Sequence, residues 1–90
     1  MAAKVLDIRT PAEVAEGHID GAIVVDYRDE NFAELICKLD KSADYIMHCR
    51  SGGRVSEAIP LMRELGFTGE LTNAGGIDDA SAITGLPITY

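Results

Sequence analysis

Ninety residues, 47% of them hydrophobic, are expected to form one small domain over residues 1–90, with a modest core and no room for a second. A formal charge of −7 at pH 7 excludes a general nucleic-acid surface, which needs a basic face, and no apolar run approaches the roughly 20 residues that span a bilayer. Two cysteines without zinc-type Cys/His spacing argue against a disulfide framework and against a metal, and no cofactor is expected.

In chain order, Lys4 to Ile8 predicts a strand, after a start (Met1-Ala2-Ala3-Lys4-Val5) that lacks a signal peptide's long apolar region, so a cytoplasmic protein is expected. Thr10-Pro11-Ala12-Glu13 predicts a helix start, with an N-cap threonine, proline at the first helical position and a capping-box glutamate. Gly17 stands where a left-handed residue would end that helix, and His18 reads as a turn residue bonded to backbone. Gly21 then leads into the apolar strand Ala22 to Val25. Asn31 to Leu39 predicts an amphipathic helix with Phe32, Leu35, Ile36 and Leu39 as its apolar stripe. Cys37 lies in that helix without cationic or glycine-rich neighbours and is expected to be chemically quiet.

Tyr45 to His48 predicts a third strand, and Val55 to Leu65 a third helix ended by Gly66. Pro60 falls inside this helix, opposite the stripe of Val55, Ile59, Met62 and Leu65, so a kink or local break is expected toward solvent. A fourth strand is expected near Glu70 to Thr72, a turn with one helical turn at Ile77 to Ala82, and an extended piece at Ile88 to Tyr90. The alternation predicts an α/β fold: a central, mostly parallel sheet of four or five strands flanked by helices on both faces. Its ligand sites belong at the carboxyl ends of the strands.

Cys49 occupies such an end. In Tyr45-Ile46-Met47-His48-Cys49-Arg50-Ser51-Gly52-Gly53-Arg54-Val55, an apolar strand delivers one cysteine into a glycine-rich loop that opens a helix. A helix N-terminus leaves backbone N–H groups unpartnered and carries roughly half a positive charge, which stabilises an anion. Arg50 and Arg54 add full charges, so the Cys49 thiol is expected to ionise below its ordinary pKa of about 8.5. His48 precedes it but points to the other side of the strand by alternation, as a packed histidine. Asp7 and Arg9 share one strand face and are expected to pair or to brace neighbouring loops.

Several of these segments together resemble the rhodanese-like domains, small sulfurtransferase modules. Asp7-Ile8-Arg9 is similar to the family's opening Asp-x-Arg element, and Gly17-His18-Ile19-Asp20-Gly21-Ala22 to its Gly-His-Ile-x-Gly-Ala element. Cys49-Arg50-Ser51-Gly52-Gly53-Arg54 resembles its active-site loop, and Asn73-Ala74-Gly75-Gly76-Ile77 its closing pattern. The chain departs from that pattern in having Val55 before Ser56 where serine commonly follows the arginine, and in having no tryptophan after Gly75-Gly76.

The resemblance implies sulfur transfer through a persulfide on Cys49, from a small anionic donor such as thiosulfate to a thiol or cyanide acceptor, or to a partner protein. The amides of Arg50, Ser51, Gly52, Gly53, Arg54 and Val55 would cradle the sulfur, and the two guanidinium groups would hold the donor. A non-catalytic relay or interaction module and a cysteine phosphatase or arsenate reductase are the competing readings. The phosphatase is disfavoured because four residues, rather than five, separate Cys49 from Arg54.

Overall fold

The computed structural model describes residues 3–90, so Met1 and Ala2, part of the start read above for a leader, lie outside the described residues. The elements run β1 (Lys4–Asp7), α1 (Pro11–Ala15), β2 (His18–Ile19), β3 (Ile23–Val24), α2 (Phe32–Ile36), β4 (Tyr45–His48), α3 (Gly53–Glu64), β5 (Leu71–Asn73), α4 (Ile77–Thr84) and β6 (Ile88–Thr89). Four strands make a parallel sheet in the order β3-β1-β4-β5, with Asp7 opposite His48 and Tyr45 opposite Leu71. This is the expected α/β architecture.

Side-chain alternation divides the core between the two faces of the sheet. Leu6 and Met47 pack with Phe32 and Ile36 of α2 and with Val55, Ala58 and Met62 of α3. Their strand neighbours Val5 and Ile46 pack with Ile19, Ala80 of α4 and Ile88. Because parallel strands require helical crossovers, both faces are covered and the loops that follow β1 and β4 emerge at one edge.

Some local expectations change. The final extended piece does not join the main sheet: β6 pairs antiparallel with β2, His18 opposite Thr89. His18 is therefore a strand residue rather than a turn residue, because the chain's end returns to supply its partner. Gly17 has φ 152°, outside the compact left-handed conformation expected for a helix end, and a Cβ there would sit 2.9 Å from the Tyr90 ring. The Asn31 to Leu39 helix is shorter than predicted, with Cys37 as its C-cap. Tighter bonds from Lys38 N–H to the Leu35 carbonyl and from Leu39 N–H to the Ile36 carbonyl replace further α-helical turns. By contrast, α3 begins two residues before Val55 and α4 extends past Ala82 to Thr84.

Pro60 is exposed on the side of α3 away from Val55, Ala58 and Met62, as expected, but the helix continues through it without a break. The carbonyl left without its proline donor is that of Ser56, an exposed residue, so water relieves the loss.

Gly69 precedes β5 where two backbones nearly touch: a Cβ there would lie 2.0 Å from the Ala43 carbonyl oxygen. Backbone cannot yield as a side chain can. Gly69→Ala is expected to cost about 1–3 kcal/mol, read as a lower urea midpoint. Gly53→Ala, where a Cβ would meet nothing within 4 Å, should be nearly neutral.

Candidate active site

β4 ends at His48 and hands Cys49 to the loop that opens α3. The Cys49 backbone is anchored by its N–H to the Gly75 carbonyl at 3.0 Å, which ties it to the connection after β5. Its side chain turns into the loop, where Gly52 N–H donates to Sγ at 3.0 Å. Gly52 caps α3 with φ 94°, a conformation that glycine adopts freely, and a Cβ would meet Asn73 Oδ1 at 3.1 Å. Asn73 buckles the loop from β5: its Nδ2 donates to the Gly52 carbonyl and to Ser56 Oγ, both at 3.1 Å, while its Oδ1 accepts from Gly75 N–H.

Burial pushes the Cys49 thiol up, but the amides of Val55, Ser51, Gly52 and Arg54 outweigh it and bring the thiol below its ordinary range. The same geometry stabilises any anion on that sulfur. Loop residues serve this cradle in different ways. Val55 places its side chain in the core while its amide faces the sulfur; Ser51 and Gly53 are exposed, and Arg50 is exposed at the mouth.

Cys49 lies at the base of a cleft of about 230 Å³ lined also by Arg9, Glu13, Glu16, Arg50 and Ile77. Of the residues singled out from sequence to hold a donor, Arg50 is on the cleft wall. Arg54 is engaged elsewhere: its Nη1 and Nη2 bond Glu13 Oε1 and Oε2 at 2.9 and 3.0 Å. The Arg54 hydrogen bonds, reinforced by those from Thr10, hold the Glu13 carboxyl at about 2. Glu13 also completes the capping box, its Oε1 accepting from the Thr10 N–H and hydroxyl. The box was legible in sequence; the second role of the same carboxylate, and the part played by Glu16, Ile77 and Asn73, were not.

Asp7 and Arg9 do pair. Asp7 Oδ1 accepts from Arg9 Nε at 2.9 Å and Oδ2 from Nη2 at 2.8 Å, while Nη2 also donates to the Gly17 carbonyl. His48 is fully buried, with Nε2 3.8 Å from Asp7 Oδ2. Burial pushes its pKa down, which favours the neutral imidazole. Among the described residues no cluster of His, Cys, Asp and Glu could hold a metal, and no helix is long and apolar enough to cross a membrane.

Residues 1–82 match the sequence model of the rhodanese-like domain. The chain belongs to the rhodanese-like family. It is similar to thiosulfate sulfurtransferase 16, chloroplastic, of Arabidopsis thaliana, at 37% identity over 91% of this chain and 76% of that protein. A sulfurtransferase of Allochromatium vinosum is 36% identical over 92% of this chain and 75% of its own length. The crystal structure of the Rhodanese_3 like domain from the Anabaena protein Alr3790 superposes with TM-score 0.80 at 28% identity, covering 99% of this chain and 100% of that one. These relationships support rhodanese-type sulfur transfer in general.

Proposed function

We propose that this rhodanese-like chain is a sulfurtransferase in which Cys49 carries the sulfur as a persulfide, taken from thiosulfate or a related persulfide donor and passed to a thiol or cyanide. The observation that carries the reading is the Cys49 sulfur itself, at a strand's carboxyl end, bonded by the Gly52 amide and open to a polar cleft. In the first half-reaction the Cys49 thiolate attacks the outer sulfur of thiosulfate; the S–S bond breaks and sulfite leaves with its electron pair. In the second, the acceptor attacks the outer persulfide sulfur and Cys49 returns as thiolate.

The amides of Ser51, Gly52, Arg54 and Val55 stabilise negative charge on Sγ before and after each transfer, without reorganising. Arg50, exposed at the mouth, meets the donor. A tetrahedral phosphate fits the reading less well, because the four-residue spacing makes a smaller cradle than a phosphatase uses.

Mass spectrometry of the intact protein after brief exposure to thiosulfate tests this. A gain of one sulfur atom, lost again on adding cyanide, is expected, with no hydrolysis of p-nitrophenyl phosphate. Phosphate release would select the phosphatase. Absence of sulfur gain from both thiosulfate and a persulfide would select a non-catalytic module.

A further inference from the structure

We infer that Glu13 selects the sulfur donor, by withholding the Arg54 guanidinium from free dianions and so favouring sulfane sulfur borne on a thiol; this rests on the reading of Cys49 as the sulfur carrier. The charges around the cleft motivate it. Arg9 is committed to Asp7 and Arg54 to Glu13, each through two hydrogen bonds. Among the described residues, Arg50 is the cleft-lining cation without a salt bridge, and Glu16 is a carboxylate on the same wall without one.

A sulfonate-type dianion approaching Cys49 therefore finds one unpaired guanidinium and two carboxylates. Glu13 cannot swing aside cheaply. Four donors hold it: Thr10 N–H, Thr10 hydroxyl, and Arg54 Nη1 and Nη2. Its low pKa keeps it charged throughout the neutral range. Arg54 nevertheless ends the Cys49 loop, and its fork is bonded to Glu13, which lines the same cleft as Cys49, so a freed fork adjoins the space where a donor binds.

A thiol persulfide, R–S–SH, makes no comparable demand for a second cation. The Cys49 thiolate attacks its outer sulfur, the new S–S bond forms, the old one breaks, and the electron pair leaves on the carrier thiolate. The proton on the outer sulfur then passes to that thiolate, giving the Cys49 persulfide anion and a free thiol. No oxidant or reductant is needed.

Glu13→Gln separates the contributions, because glutamine keeps the capping-box acceptor for Thr10 while removing the negative charge opposite Arg54. With thiosulfate as donor, KM is expected to fall about tenfold, the size of one released charge-assisted contact, with kcat little changed. With cysteine persulfide as donor, KM should stay where it is. Adding Arg54→Ala should erase the thiosulfate gain. An unchanged or raised thiosulfate KM, equal effects on both donors, or a gain that survives Arg54→Ala would overturn the assignment. If neither donor adds sulfur to the wild-type protein by mass, the reading of Cys49 fails first, and donor selection with it.

Discussion

Cys49→Ser is expected to reduce sulfur transfer by on the order of 10³-fold or more, while Cys37→Ser leaves it nearly unchanged. The asymmetry is physical. A serine hydroxyl can accept the Gly52 N–H bond that Sγ accepts at 3.0 Å, but it does not ionise near neutral pH and forms no persulfide. Cys37 is the C-cap of α2, packed against the core and outside the anion cradle of the loop. Alkylation against pH reads the same asymmetry without a sulfur donor. Iodoacetamide should modify Cys49 with a midpoint below the free-thiol value of about 8.5, because the loop amides lower its pKa despite burial. Reactivity is fully present above the lowered pKa and falls away as pH drops through it. A midpoint at or above that of a free thiol, or faster modification of Cys37, would sink the activation argument.

Asp7→Ala is the second large effect, and it acts on the fold that holds the site. Asp7 is fully buried and Arg9 is 7% exposed, so removing the carboxylate strands a guanidinium that water barely reaches. Breaking one partner of a buried pair costs roughly 3–5 kcal/mol, which for a domain of this size lowers Tm by roughly 12 °C or more. Replacing both partners, Asp7→Leu with Arg9→Met, should recover part of that stability because no buried charge remains. It should not recover full activity, since Arg9 also lines the cleft and donates to the carbonyls of Gly17 and Glu13. Thermal and urea unfolding beside a sulfur-transfer assay check both claims. A Tm within a few degrees of wild type for Asp7→Ala would contradict the account of the pair.

What was legible in the chain was what neighbours in sequence decide. The capping box of Thr10 and Glu13 depends on residues three apart, and the pairing of Asp7 with Arg9 on residues two apart. Alternation within Lys4 to Ile8 and Tyr45 to His48 distributes side chains between two faces wherever the strands end up. The thiolate-forming loop is likewise a local object: a strand end, two glycines and a helix start in one short run. The face that His48 takes, opposite Cys49, also follows from alternation.

Partner choice across long separations was not legible. Glu13 is bound by Arg54 from 41 residues away, and Asn73 buckles the Gly52 turn from 21. Nothing in either segment specifies the other. Glu13 reads only as a capping-box residue until the topology sets its helix beside the loop after β4, and the extended piece at Ile88 to Tyr90 has no assigned partner until it pairs with His18 and Ile19. Local residues decided which groups could make a reactive sulfur, because conformation and ionisation respond to what lies within a few ångströms along the chain. Which cations remain for a donor was decided by the tertiary fold alone, because a guanidinium binds whichever carboxylate the packed elements bring within reach.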